Sequence, residues 1–172
     1  MLLRLLRASS VVVLACALSA CSGSTSKDPL ESSGAPMTAA PPPTESEALT
    51  AWLERGTYLN YEHESAIHPS AGPHGSVRVF LGPELVKSLS DGEEVHPVGA
   101  AAVKELYDDG TGALTGWAVS IKVAGDGVKE DWLWYERARA SSAPSSNRRG
   151  QPICASCHES GRDYVVTDFP LR

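Results

Sequence analysis

The sequence is short of cysteine, methionine and basic residues. Of its 172 residues, four are Cys, two are Met, 15 are Lys or Arg and 21 are Asp or Glu, which gives a formal net charge of −6. A surface that binds nucleic acid is usually strongly basic, so this balance argues against a nucleic-acid partner. What the few cysteines can do depends on how the N-terminus is processed.

The sequence also lacks an apolar run long enough to form a permanent transmembrane helix. Its most apolar stretch, residues 11–20, would span about 15 Å as a helix, against roughly 30 Å of hydrocarbon. Arg4 and Arg7 precede this stretch, and a basic segment followed by a short apolar one is typical of a secretory signal. We therefore predict that residues 1–20 are a signal peptide and that the protein leaves the cytoplasm.

The predicted signal ends in Leu18-Ser19-Ala20-Cys21, which resembles the lipobox of bacterial lipoproteins. This resemblance implies that Cys21 becomes the acylated first residue of the mature chain, and that the protein is anchored by lipid in the bacterial cell envelope. Several acyl chains, at about 0.8 kcal/mol per buried methylene, would make such an anchor stable. The alternative is an ordinary signal whose cleavage site lies near a cysteine.

This processing leaves two cysteines, Cys154 and Cys157, because Cys16 is removed with the signal and Cys21 carries lipid. A framework of structural disulfides is therefore excluded. The signal also removes two basic residues, which leaves 13 basic and 21 acidic residues and a net charge of −8.

Two regions follow the signal. Residues 21–43 are rich in Ser, Pro and Ala, end in three prolines and contain almost nothing that could build a core, so we predict a flexible tether. Residues 44–172 have the size of one ordinary domain.

Within this domain the pattern of apolar residues predicts a mainly β fold of the α+β class. Thr44 and Glu47 have the spacing of a capping box at the start of a helix that ends at Gly56, and a second short helix follows Gly82-Pro83. Alternating residues predict strands at 76–81, 99–107, 115–123 and 131–137, with turn-forming glycines between the last three. We expect an antiparallel meander sheet with short flanking helices.

Residues 154–158 have the sequence Cys-Ala-Ser-Cys-His, for which three chemistries are open. A zinc site needs four ligands, yet no other cysteine remains in the domain and its other histidines lack a matching spacing. A thioredoxin-type dithiol belongs to a βαβ unit, which the predicted elements do not form. Covalent haem c fits best, because Cys154 and Cys157 reach two vinyl groups from one helical turn while His158 ligates the iron. We therefore predict a C-terminal haem-binding helix.

Methionine, the usual second axial ligand of an electron-transfer cytochrome c, is missing from the domain. Met37, the only methionine of the predicted mature chain, lies in the predicted tether. Either another histidine completes the iron coordination, or the iron is open to small molecules. The four candidates are His63, His68, His74 and His96, whose places in loops with Pro and Gly also fit ordinary surface residues.

Several segments, in order, resemble the cytochrome P-460 family, which includes the β-sheet cytochromes c′-beta. They are VRVFLGPELVKSL, HPVGAAAVKELY, GWAVSIK, DWLWYE and CASCHESGRDYVV; the resemblance covers roughly residues 75–164, and the last segment runs on to residue 166. The resemblance implies an antiparallel β fold, often a homodimer, with one haem c whose iron is open on its second side. Members of the family either oxidise hydroxylamine or bind nitric oxide and similar gases.

The resemblance also implies roles for single residues. In hydroxylamine-oxidising members a strand lysine bonds to the haem edge, and Lys104 stands at the matching position. Strand alternation puts Lys104 on one face with Ala100 and Ala102, which leaves room for a flat group, although a solvated lysine paired with an acid fits equally. Glu130 is the candidate carboxylate for moving protons off the substrate nitrogen, and its alternative is a charged turn residue.

Three hypotheses of function follow. The first is an enzyme or binding protein for small nitrogen compounds that passes electrons to a redox partner protein. The second is a bis-His electron carrier, and the third is a gas sensor or scavenger without turnover. Candidates for the haem surroundings are Trp117, Trp132 and Trp134 as walls and Arg78 as a propionate partner.

Overall fold

The structure, a computed structural model, describes residues 40–172. The predicted signal peptide, Cys21 and nearly all of the predicted tether lie outside the described residues. The described α-helices are α1 (Ser46–Glu54), α2 (Pro83–Asp91) and α3 (Pro152–His158). The strands are β1 (Glu62–His63), β2 (His68–Pro69), β3 (Ser76–Leu81), β4 (Ala101–Tyr107), β5 (Leu114–Lys122), β6 (Trp132–Ala138) and β7 (Ser146–Arg149). None of the helices within residues 40–172 is long and apolar enough to cross a membrane.

The strands form one sheet in which every pairing is antiparallel. Their order is β1-β3-β4-β5-β6-β7, and β2 also pairs with β3. The predicted α+β, mainly β meander is therefore confirmed. β4 begins two residues later than predicted, because Gly99 has a φ of 95° and lies outside the extended region.

Local sequence decides most helix ends, with one exception. Pro83 occupies the first turn of α2, where a missing N–H costs nothing, and Gly56 follows α1 with a φ of 66°. The predicted capping box is wrong. The residue before α1 is Glu45, in an extended conformation, and no side chain caps the helix. Thr44 lies one residue too early to reach the free N–H groups.

The two faces of the sheet have different coverings. The first, which we call the α1 face, packs against α1 and the 3₁₀ turn Thr57–Asn60. Its buried side chains are Leu49, Trp52, Leu53, Tyr58, Tyr61, Phe80, Ala101, Val103, Trp117, Val119, Ile121, Leu133 and Tyr135. Each fully buried apolar side chain of this size contributes roughly 1.5–3 kcal/mol, so this face supplies a continuous stabilising core.

The opposite face, which we call the α3 face, packs against α2, α3 and the C-terminal residues. Its cluster contains Val79, Leu81, Leu85, Ala100, Trp132, Trp134 and Val165, with Ala102, Cys154, Tyr164, Phe169 and Leu171 packed around them. Strand register gives this face Lys104, Ala118, Ser120 and Glu136 as well. The Cys-Ala-Ser-Cys-His sequence therefore lies over the face that carries Lys104.

Candidate functional site

Helix α3 brings the two thiols and the imidazole of the motif together. Pro152 starts the helix, and Cys154, Cys157 and His158 follow within it. Residues three and four apart are neighbours on a helix surface, so both other side chains lie beside Cys154. Both cysteines are free; Cys154 is half-buried and Cys157 is exposed. The spacing therefore gives two reachable thiols next to one imidazole.

The helix is fixed to the sheet by small and aromatic contacts. Ala155 is 3% exposed, and Cys154 packs against the cluster that contains Trp134. The ring of His158 meets the indole of Trp134 edge to face, with centroids 4.7 Å apart. Burial raises the pKa of the Cys154 thiol, and the nearby Glu136 carboxylate and Cys157 raise it further. Because its pKa is raised, this thiol is protonated at neutral pH.

One hydrogen bond determines which nitrogen of His158 can bind a metal. Its Nδ1 lies 3.0 Å from the carbonyl oxygen of Tyr164. Since a carbonyl can only accept, Nδ1 must donate, and Nε2 keeps its lone pair. Burial lowers the pKa of His158, the hydrogen bond to the Tyr164 carbonyl opposes this, and the nearby Lys104 ammonium lowers the pKa further. The imidazole is therefore held neutral with Nε2 as its ligand atom.

The sheet beside α3 carries small side chains. Ser120 pairs with Trp134 and with Ala102, and Ala118 pairs with Lys104. Ala102, Ala118 and Ser120 are only partly covered, so this part of the α3 face is a shallow surface. The indole N–H of Trp134 is buried without a hydrogen-bond partner among residues 40–172, which is costly unless an acceptor is supplied. Small, partly covered side chains and one buried N–H without a partner are therefore what the α3 face presents beside the helix.

Three polar residues, which we call the rim cluster, lie around this surface: His74, Lys104 and Glu136. Lys104 and Glu136 are both opposite Ala118 in the strand register. The loop before β3 brings the Nδ1 of His74 within 3.6 Å of a Glu136 oxygen. Burial lowers the pKa of His74 to about 4, helped by the charge of Lys104. Burial also lowers the pKa of Lys104 itself, against the opposing charge of Glu64.

The four histidines proposed as second axial ligands lie in different surroundings. His63 accepts a hydrogen bond from Arg78 and packs on Phe80 of the α1 face. His68 is paired with Glu64, and His96 is buried against α2 with its Nδ1 bonded to Ser88. Of these four, His74 is the one that lies beside Glu136 on the α3 face, with its Nδ1 3.6 Å from a carboxylate oxygen. Sequence reasoning could not separate His74 from the others, because its loop approaches β6 only in the folded protein.

Other candidates fall near the site or away from it. Trp132 and Trp134 belong to the α3 face, whereas Trp117 is buried on the α1 face, and Arg78 contacts Phe80 there. The proposed haem contacts of Trp117 and Arg78 are therefore wrong: β-strand alternation turns both side chains away from α3. Glu130 is exposed and lies against Gly150, just before α3. Its predicted proton-transfer role stays a prediction, while Glu136, which sequence reasoning missed, faces the site.

The donor set of α3 can be compared with what metals require. Within the described residues, no group of three or more His, Cys, Asp or Glu side chains is arranged to hold a metal ion. Two thiols and one imidazole on a single helix do match the attachment of haem c, in which the thiols bind the porphyrin and the imidazole binds iron.

In comparisons with known proteins, no family model and no curated protein matches the chain. The resemblance to the cytochrome P-460 family therefore stays a prediction.

Proposed function

We propose that the domain is a c-type monohaem cytochrome similar to the cytochrome P-460 family. The observation that supports this most directly is the geometry of α3. It carries two free thiols and a neutral imidazole with an available Nε2, and it lies over a sheet face with small side chains. Cys154 and Cys157 would form the thioethers and His158 would ligate the iron.

When bound, the haem would supply a redox-active iron for binding or oxidising small nitrogen compounds such as hydroxylamine or nitric oxide. The contribution of the chain would be to hold the group, limit water and handle protons. His74 is uncharged at neutral pH because its pKa is about 4, and Glu136 beside it can accept a proton from a bound substrate. Lys104 is the candidate for a covalent bond to the haem edge; without that bond the gas-binding branch of the family is the closer parallel.

The haem proposal is tested on full chain matured with a haem-attachment system. A pyridine haemochrome spectrum and the intact mass are expected to show one haem c per chain. The Cys154→Ala/Cys157→Ala variant should carry no covalent haem, while Cys16→Ala, which lies in the predicted signal, should match wild type. Colourless protein that carries zinc or two free thiols at this motif would disprove the proposal.

Turnover separates an enzyme from a sensor or scavenger. Hydroxylamine oxidation is measured with an artificial electron acceptor, alongside carbon monoxide and nitric oxide binding to the reduced protein. An enzyme should show turnover that falls in Lys104→Ala together with a change of the haem spectrum. A sensor or scavenger would bind the gases without turnover. In that case the wild type and Lys104→Ala should show the same c-haem spectrum.

A second candidate, a bis-His electron carrier, is favoured by His74, whose Nδ1 lies 3.6 Å from Glu136 on the sheet face that α3 covers. In that case the resting spectrum should be low-spin, and His74→Ala should convert it to high-spin. His68→Ala is the control, because His68 lies in β2, which pairs with β3, and its ring is paired with Glu64. A reduced protein that already binds carbon monoxide without displacing a ligand rules this candidate out.

We also propose a setting for the domain. A lipid on Cys21 would anchor it in the bacterial cell envelope, and a redox partner protein would exchange electrons with the haem. A homodimer is the assembly that the family resemblance implies, and sedimentation of the matured protein tests it.

A further inference from the structure

A buried ion cluster lies beneath the segment that follows α3. Lys122 is 1% exposed, and its ammonium lies 2.7 and 2.8 Å from the two carboxylate oxygens of Asp163. A second carboxylate, that of Asp131, lies 3.3 Å away and is equally buried. Replacing such a pair by apolar residues is often neutral for stability, so its presence suggests a geometric role.

Asp163 makes more contacts than its ion pair with Lys122. It also accepts a hydrogen bond from the backbone N–H of His96 at 2.8 Å and from the indole N–H of Trp132 at 3.3 Å. These contacts come from three separate segments of the chain. The carboxylate therefore holds the segment after α3 against β5, β6 and the loop of His96.

The backbone at this point has an uncommon conformation. Asp163 and Tyr164 have φ angles of 43° and 67°, in the left-handed region that residues other than glycine adopt rarely and at a cost. A left-handed backbone conformation persists when surrounding contacts stabilise it. The hydrogen bonds and the ion pair of Asp163 are placed to stabilise this one. The result is that the carbonyl of Tyr164 points at Nδ1 of His158, 3.0 Å away.

We propose that Asp163 is a positioning residue for His158: clamped by Lys122, it fixes the turn whose Tyr164 carbonyl keeps the proton on Nδ1 and leaves Nε2 as the ligand atom. The inference deepens the proposed function and rests on it for the identity of the metal group. The orientation of His158, however, is a property of the chain alone, so it can be measured without haem.

The experiment determines which nitrogen of His158 carries the proton, in full chain labelled with ¹⁵N-histidine, by long-range ¹H–¹⁵N NMR. Wild type is expected to show the Nδ1–H tautomer. Asp163→Ala, which removes all contacts of the carboxylate, should give a mixture with Nε2–H. Asp163→Asn keeps an acceptor for His96 and Trp132 and should lie between the two.

Asp131→Ala is the matched control, because it removes the other carboxylate partner of Lys122 from a segment that does not carry Tyr164. It is expected to keep the wild-type tautomer. An Asp163→Ala variant that keeps Nδ1–H, or an Asp131→Ala variant that shifts equally, would overturn the inference. If Asp163→Ala loses its dispersed spectrum, Asp163→Asn decides: a mixture of tautomers supports the inference, and a wild-type Nδ1–H tautomer overturns it.

The same variants matured with haem give a second readout. The iron–histidine stretching band of the reduced protein should move to lower frequency in Asp163→Ala and stay in place in Asp131→Ala, because losing the Nδ1–H bond makes the imidazole a weaker donor. If neither the wild type nor any variant carries haem, the proposed function fails. The tautomer measurement still decides whether Asp163 positions His158.

Discussion

Glu105 is a carboxylate buried inside the α1 face, with 5% of its surface exposed. It accepts hydrogen bonds from the hydroxyls of Tyr58, at 2.6 Å, and of Tyr107. The indole N–H of Trp117 donates to the Tyr58 oxygen at 2.9 Å. Burial raises the pKa of Tyr58, and Glu105 raises it further, so the hydroxyl remains a donor. A buried carboxylate is tolerated here because two tyrosine hydroxyls donate to it.

We expect Tyr58→Phe to lower the free energy of unfolding by about 1–3 kcal/mol, because it removes one of the two tyrosine hydrogen bonds to the buried Glu105 and leaves the indole N–H of Trp117 without its acceptor. Urea unfolding measures the change. Tyr61→Phe is the control, since Tyr61 is equally buried in the same core but its hydroxyl makes only a 3.4 Å contact with the Ala40 carbonyl. Equal losses in the two variants would mean that the hydrogen bonds to Glu105 contribute little.

Two histidines are expected to affect stability with opposite dependence on pH. Burial lowers the pKa of His96, so its contribution is present above the unfolded value near 6.5 and is lost as pH falls towards the folded value. The carbonyl of Pro69 and then Glu64 raise the pKa of His68, so its contribution is present below about 6.5 and is lost as pH rises through the folded value.

Urea unfolding at pH 5.5 and pH 7.5 tests both signs. His96→Gln should cost more stability at pH 7.5 than at pH 5.5, and His68→Gln should cost more at pH 5.5. The two variants serve as controls for each other. A cost that does not vary with pH in either variant would show that the titration of these rings is not linked to folding.

At the scale of elements, α3 has a single buried residue, Ala155. Ala155 is 3% exposed, whereas Ile153, two residues earlier, is 76% exposed. A side chain with one methyl group lets the helix approach closely enough for His158 to reach Trp134. We therefore expect the position of the motif to depend on the size of this side chain.

Ala155→Leu should lift α3 from the sheet, because added methylenes in a packed contact cost about 1–3 kcal/mol. We expect lower stability in urea and, in matured protein, a lower haem content. Ser156→Leu adds the same side chain at the next, exposed position and should change neither quantity. Similar behaviour of the two variants would mean that α3 is held by something other than the Ala155 contact.

On the scale of the whole molecule, the sheet separates two tasks. Its α1 face is an apolar core, whereas its α3 face combines partly covered small residues, a buried ion cluster and the candidate site. The apolar surface buried on the α1 face stabilises the fold. Part of the α3 face can therefore serve function in a chain of this size. The predicted tether would let this domain stand clear of a membrane.

The predicted anchor can be tested on the intact chain. We expect Cys21→Ser to move the protein from the membrane fraction to the soluble envelope fraction, because the acyl chains that hold it are lost. Cys16→Ser, within the predicted signal, should leave the distribution unchanged. Fractionation and intact mass measure the outcome, and a Cys21→Ser protein that remains with the membrane would exclude this lipid anchor.

Sequence alone determined the features that depend on neighbours along the chain. Alternation predicted β3 to β6, Pro83 predicted the start of α2, and the i, i+3, i+4 spacing brought Cys154, Cys157 and His158 together on one helix. It failed at the start of α1, where the residues of a capping box occur one position too early. It also missed the edge strands β1, β2 and β7, because two to four residues are too few for a periodic pattern.

Only the tertiary structure decided what surrounds that helix. His74, Lys122 and Glu136 are distant in sequence from α3, and antiparallel register and loop packing bring them towards the helix and towards Asp163, which follows it. Side-chain direction in a sheet reverses with each residue, so a register shift of one would turn Lys104 and Glu136 to the other face. The motif itself is local, whereas its neighbours follow from long-range pairing that no short stretch of sequence specifies.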